Sequence, residues 1–179
     1  MSKSEPDFLT NEYYQRLLSF LSEMKKETYR GQALVIASLL EQMLEETLDA
    51  GLQDVPAKRK LFDGPTAPVS SLYSKTKLAC AMGLINADEE RDIDIIRSIR
   101  NEFAHNIDAD ISNPHIENKC KSLKLGLEYL DALDENDESR VEDPEARFMM
   151  VATSIVTRLY NRAHYVTNTK TKFSGEFPI

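Results

Sequence analysis

Apolar side chains recur every three or four residues along most of the chain, and this spacing constrains the fold more than any other feature. An α-helix turns once in about 3.6 residues, so the spacing gathers apolar side chains on one face. A half-buried strand would instead alternate every second residue, and alternating runs and hairpin dipeptides are nearly absent. The longest stripe consists of Ala33, Ile36, Ala37, Leu40, Met43, Leu44 and Leu48. The chain is therefore predicted to be an all-α bundle of five to six helices.

Capping signals set the ends of the predicted helices. Gly51 follows the longest apolar stripe, where a left-handed cap forms easily, and Gly83 stops the next predicted helix. Asn86 and Glu89 have the spacing of a capping box, and Pro114 and Pro144 follow cap residues at a first helical position. The helices predicted in this way cover 8–26, 29–50, 72–82, 87–106, 114–130 and a long segment from 144. A break that contains Gly64, Pro65 and Pro68 is predicted between the second and third of them, at 58–71.

The 179 residues are expected to form one helical domain, 1–179. The segment 131–145 holds eight acidic side chains against one basic, a net charge of −7 out of −8 for the whole chain. It is predicted to be an exposed acidic linker; docking of a basic partner and mimicry of nucleic acid are the alternatives. The segment 167–179 shows no period and is predicted to be a loose tail.

Several classes of protein are not expected from this sequence. No apolar run approaches the roughly 20 residues that span a bilayer, and no signal peptide is visible, so a cytoplasmic protein is expected. Cys80 and Cys120 form no C-x-x-C pair, so they are predicted to be buried thiols rather than zinc ligands or a redox pair. His105, His115 and His164 lack metal-ligand spacing, so neither a metal site nor a cofactor is predicted.

Direct DNA binding is not expected either. Phosphate binding normally requires a basic patch, whereas the sequence pI is about 5.0. A local basic groove is left open, with a solvated surface as the alternative. Its candidates are Lys58, Arg59, Lys60, Lys119, Lys121 and Lys124.

The most informative motif is the stretch 97–106, which holds Arg97, Arg100, Asn101 and His105. Arg100 and His105 are five residues apart, which separates them by about 140° around an ideal helix. They converge only if the helix ends or loosens near His105, or if a dimer brings together one residue from each chain.

An arginine and a histidine at one site suit phosphodiester chemistry. Arginine stays charged and can grip a phosphate through two parallel hydrogen bonds. Histidine titrates near neutrality, so His105 could accept a proton from a 2′-hydroxyl or donate one to the leaving oxygen. In this hypothesis Arg100 and His105 are catalytic, Asn101 orients them, and Arg97 adds charge for substrate binding.

Structural roles are the alternative for the same residues. Arg100 and His105 would then interact with the dipole at the helix C-terminus. Arg97 would pair with Asp94 or Asn101. Three acidic residues of the second helix either reach toward Arg100 or form a solvated face, and they are Glu41, Glu45 and Glu46.

Two family resemblances are carried by these residues. The hexapeptide 100–105 resembles the R-x4-H motif of HEPN domains, with a polar residue after the arginine. The region 33–109 is similar to the mannitol operon repressor family: an apolar helix, the segments 61–65, 72–78 and 83–85, and an acid-rich helix that ends in the motif.

The resemblances imply a HEPN-like helical bundle that forms a homodimer, and two functions from different classes. The first is a metal-independent endoribonuclease that acts on RNA. The second is a regulator of transcription that works through contacts with a protein partner, without direct DNA binding. We expect loss of RNA cleavage on mutation of His105 under the first, and a stable partner protein under the second.

Overall fold

The computed structural model describes residues 12–24, 26–127 and 143–169. The described residues form seven α-helices, which confirms the all-α prediction and exceeds the expected number of helices by one. The helices are α1 Glu12–Met24, α2 Tyr29–Gly51, α3 Pro56–Phe62, α4 Leu72–Ala81, α5 Ala87–His105, α6 Pro114–Ser122 and α7 Pro144–Thr169. Residues 128–142 and 170–179 lie outside the described residues, and with them nearly all of the predicted acidic linker and tail.

The core forms where α2 packs against α4, α5 and α7. The apolar stripe of α2 is buried as its spacing predicts, and isoleucines from α5 and α7 meet it. Each fully buried leucine or isoleucine side chain contributes about 1.5–3 kcal/mol to the free energy of unfolding. Central members of the core are Ile36, Leu40, Leu44, Leu48, Ile93, Ile96, Ile99, Ile155 and Leu159.

Helix starts follow the predicted caps. The Asn86 side chain accepts a hydrogen bond from the backbone N–H of Glu89, and the Glu89 carboxylate accepts one from the N–H of Asn86, so the capping box is complete. Asn113 caps α6, with Pro114 at its first position. The Asp143 carboxylate accepts from the N–H of Ala146 at the start of α7.

Three helix boundaries differ from the sequence prediction. The extra helix α3 lies in the predicted break and buries none of its residues, so it has no complete apolar stripe to detect. Helix α6 ends at Ser122 rather than near residue 130, because the fully buried Asp92 carboxylate accepts the N–H groups of Lys124 and Leu125, at 2.9 and 2.7 Å. Residues 167–169, assigned to the tail, are the last residues of α7.

A second buried carboxylate joins α5 to α7. Glu89 is 1% exposed and binds both terminal nitrogens of Arg162, at 2.7 and 2.8 Å. The same guanidinium donates to the carbonyl of Leu84 at 2.7 Å. Such paired hydrogen bonds are directional as well as strong, so they hold α7 in register against the start of α5.

Candidate functional site

A cleft of about 390 Å³ opens between α2, α4 and α5. Helix α5 contributes Arg97, Arg100 and Asn101 to its lining, α2 contributes Glu41, and α4 contributes Tyr73. Three of the four predicted site residues therefore share one cleft. The volume lies in the usual range for small-molecule sites, about 300–1,000 Å³.

The two arginines are held in different ways. Arg97 donates from Nε to Asp94 Oδ1 at 3.2 Å, and its guanidinium carbon lies 5.1 Å from the centroid of the Tyr73 ring. Arg100 donates from Nη1 to Asn101 Oδ1 at 3.1 Å and forms no ion pair within the described part of the chain. Arg97 is thus neutralised in part, whereas Arg100 brings an unbalanced positive charge to the cleft.

Glu41 lines the same cleft as Arg100 but forms its ion pair with Lys75 of α4. The Lys75 ammonium lies 3.0 Å from Glu41 and 2.8 Å from Glu45, and the Lys75 side chain is only 6% exposed. Burial lowers the pKa of Lys75 and the two hydrogen-bonded carboxylates raise it, with a net upward shift. Glu46 accepts a hydrogen bond from Gln42. Glu41 and Glu45 therefore bind a lysine of α4, Glu46 binds a residue of its own helix, and none of the three forms an ion pair with Arg100.

A second lysine of α4 balances the acidic residues of α5. Lys77 lies 2.6 Å from both Glu90 and Asp94, and its ammonium is 5.3 Å from the centroid of the Tyr73 ring. Hydrogen bonds to the carboxylates of Asp94 and Glu90 raise the pKa of Lys77. The hydrogen bond that Glu90 accepts from Lys77 lowers the pKa of Glu90. The Tyr73 ring, half-exposed, thus lies within cation–π distance of both Lys77 and Arg97.

His105 lies apart from this cleft. It is the last residue of α5, it is exposed, and it does not line the cleft. The helix stays regular up to His105, so the angle of about 140° between Arg100 and His105 is retained. The ring makes no hydrogen bond or ion pair within the described residues. The described chain therefore does not bring the two catalytic candidates together.

Arg30 of α2 fixes the end of α5, a role that sequence analysis missed. Its guanidinium donates to the carbonyls of Phe103 at 2.7 Å, Asn106 at 3.1 Å and Ile107 at 2.7 Å. The helix C-terminus leaves carbonyls without partners inside the helix, and Arg30 satisfies them. The sequence shows only an arginine near the start of α2, because the partner carbonyls lie about seventy positions away.

No protein-family model matches the chain, and the search of curated proteins found no match. One similar solved structure is the MtlR-HPr complex from Escherichia coli, with 21% identity and a TM-score of 0.55. The match covers 88% of this chain and 99% of that one. The chain has an MtlR-like fold. At this identity the likeness establishes the fold alone, and no residue roles are carried over.

No helix in the described ranges is long and apolar enough to cross a membrane. Within the same ranges, no three side chains of histidine, cysteine, aspartate or glutamate are grouped so that they could hold a metal ion. Both cysteines are free thiols, with Cys120 buried and Cys80 half-buried. Burial raises the pKa of Cys120 to about 12, so this thiol is unreactive at neutral pH.

Proposed function

We propose that the chain is a regulatory protein that acts by binding another protein, and that its partner is HPr or a protein like it. The observation that carries the proposal is the MtlR-like fold, whose solved relative is a complex with HPr. The resemblance to the mannitol operon repressor family makes transcription the regulated process. We further propose that the protein acts in the cytoplasm as a homodimer.

The charge arrangement supports a protein partner over a nucleic acid. Among the six candidates for a basic groove, four are held in ion pairs with acidic side chains. The pairs are Lys58 with Asp49, Arg59 with Asp63, Lys119 with Glu102 and Lys121 with Glu117. A nucleic-acid face needs cations that are available to phosphates, and this pairing reduces their number. Regulation of transcription would then proceed without direct DNA binding.

The test is a titration of the purified full chain with HPr from the same organism, by isothermal calorimetry. We expect a saturable complex of defined stoichiometry, and light scattering on a sizing column gives its mass. An unrelated small acidic protein serves as the control for charge. If no complex forms up to about 100 μM, far above the concentrations at which micromolar affinities saturate, HPr is not the partner.

A gel shift separates this proposal from direct DNA binding. With genomic fragments at moderate salt, the chain alone should leave the fragments unshifted. A sequence-specific shift by the chain alone would contradict the regulatory mechanism proposed above.

A further inference from the structure

We propose that the cleft between α2, α4 and α5 binds the phosphate group of a small phosphate monoester through Arg97 and Arg100. This inference does not rest on the protein partner proposed above. It rests on the guanidinium groups that the structure places in the cleft and on the donors that they leave unused.

Most hydrogen-bond donors of these arginines have no acceptor. Each guanidinium carries five N–H groups. Arg97 donates a hydrogen bond only from Nε, to Asp94. Arg100 donates only one, from Nη1 to Asn101. The remaining donors bind nothing within the described residues. Arg97 is 31% exposed and Arg100 is half-buried, so both are partly withdrawn from water while they still line open space.

The contacts of both arginines fix their direction. Arg97 is held between Asp94 and the face of Tyr73, and Arg100 is tied to its neighbour Asn101. A guanidinium whose position is fixed in advance loses less side-chain entropy when it binds an anion. Residues 97 and 100 are three apart on α5 and therefore neighbours on one helix face, so both can reach one ligand.

The wall of the cleft at the start of α4 adds to the attraction for an anion. Ser71 caps α4, and Ser71, Leu72 and Tyr73 line the cleft. The first turn of α4 contains no acidic side chain. A helix N-terminus presents partial positive charge, so this wall supports an anion that the arginines hold.

Charge and size indicate the class of ligand. A phosphate monoester offers three terminal acceptor oxygens and about −1.5 to −2 charges at neutral pH, so it can accept hydrogen bonds from both guanidinium groups at once, whereas a carboxylate or a phosphodiester offers only two such oxygens and a single charge. The cleft, of about 390 Å³, admits a small molecule whole. Glu41 lines the cleft, is held by Lys75 and discriminates against ligands with a further negative group nearby.

The experiment measures binding of glycerol phosphate to the purified full chain by ³¹P nuclear magnetic resonance and calorimetry. We expect saturable binding that weakens by about tenfold or more in Arg97→Gln and in Arg100→Gln, since each loses charged hydrogen bonds. Arg100→Lys, which keeps the charge but loses the fork, should weaken binding less than Arg100→Gln. The matched control is Arg59→Gln, an arginine of α3 outside the cleft, which should bind as the wild type does.

A variant that is expected to bind glycerol phosphate more tightly cannot be explained by misfolding, so it complements the arginine variants. Glu41→Gln removes a negative charge from the cleft, and Glu45 remains to hold Lys75. We expect it to tighten glycerol phosphate binding by about twofold or more. Circular dichroism of every variant checks that the helices are intact.

Four outcomes would overturn the proposal. The first is no saturable binding, and the second is binding that both arginine variants retain. The third is acetate or dimethyl phosphate binding as tightly as glycerol phosphate, which would indicate a general anion site. The fourth is a short single-stranded RNA that binds through the same arginines while glycerol phosphate does not, which would identify a nucleic-acid site.

Discussion

Asp92 shows how one buried side chain shapes the chain around it. Its carboxylate is fully buried, accepts two backbone N–H groups after α6, and accepts a third hydrogen bond from Nε of Arg91 at 2.9 Å. A carboxylate can accept several donors at once. The backbone at Lys124 and Leu125 therefore leaves the helical path, although the apolar spacing alone predicts that the helix continues.

Removing this acceptor should destabilise the fold strongly. In Asp92→Ala the buried N–H of Leu125 loses its acceptor, at roughly 1–3 kcal/mol, and the part-buried N–H of Lys124 loses its acceptor at a smaller cost. We therefore expect a loss of about 2–4 kcal/mol in the free energy of unfolding. Asp92→Asn keeps one acceptor oxygen and should lose less. The measurement is urea unfolding followed by circular dichroism at 222 nm.

A matched control lies one turn earlier on the same helix. The Asp88 side chain is 67% exposed and forms an ion pair with Arg91 at 2.9 Å. Exposed pairs of this kind contribute only about 0–1 kcal/mol, so Asp88→Ala should stay near the wild type. Equal unfolding midpoints for Asp88→Ala and Asp92→Ala would contradict the role assigned to the buried carboxylate.

At the scale of elements, helices were predictable wherever an apolar face and a local cap coincide. The start of α5 is an example, because Asn86 and Glu89 hydrogen-bond to each other's backbone and need no distant partner. The end of α6 was not predictable, because its cause, Asp92, is about thirty positions away. The short helix α3 was hidden for a different reason: it buries no residue, so its apolar spacing carries no signal.

The same distinction applies to the candidate site. Arg97, Arg100 and Asn101 were found together because they lie on one helix, and their spacing gives the face. Tyr73 and Glu41 belong to other helices, and only the packing of α2 and α4 against α5 brings them to the cleft. For His105, α5 ends at this residue but stays helical up to it, so Arg100 and His105 remain about 140° apart around the helix axis.

The connection between α2 and α7 has a measurable pH dependence. The Tyr29 hydroxyl donates to the Glu145 carboxylate, and this hydrogen bond, with burial and nearby acidic groups, raises the pKa of Tyr29 to about 12 from an ordinary 10.0. The folded chain thus holds the phenol proton more tightly than the unfolded chain. The stabilisation is therefore complete below about pH 10 and is lost as the pH rises toward 12.

Ultraviolet absorbance at 295 nm reports this ionisation directly. The titration of the wild type minus that of Tyr29→Phe should show one tyrosine with a midpoint near pH 12. Glu145→Gln should lower this midpoint toward the ordinary value, because the acceptor loses its charge. Far-UV circular dichroism at each pH verifies that the chain is folded. A difference titration centred near pH 10 would show that Tyr29 and Glu145 do not interact in solution.

At the scale of the whole molecule, the MtlR-like fold and the cleft are separate properties. The fold match covers 88% of the chain and establishes the fold, from which we proposed a protein-binding regulator. The cleft depends on a few side chains of α2, α4 and α5 and supports a small anionic ligand. A regulator with both properties could report the level of a phosphorylated small molecule to its protein partner. The two titrations proposed above test the parts independently, and HPr affinity with and without glycerol phosphate tests their coupling.

The ribonuclease hypothesis requires His105 and Arg100 to act at the same site. A general acid or base must come within hydrogen-bond reach of the reacting oxygen, about 2.6–3.2 Å or one water away. His105 does not line the cleft that holds Arg100, so one chain does not assemble this chemistry. We therefore expect no cleavage that depends on His105 when the full chain is incubated with mixed single-stranded RNA in EDTA.

Two histidine variants make this RNA experiment decisive. His105→Ala is compared with the wild type, and His115→Ala is the matched control, since His115 is 67% exposed and lies on the next helix, paired with Glu102. Cleavage by the wild type and His115→Ala but not by His105→Ala would contradict our expectation and establish a ribonuclease. The active site would then have to be shared between two copies. In that case a mixture of Arg100→Ala and His105→Ala chains should recover part of the activity, because some mixed dimers would contain one intact pair.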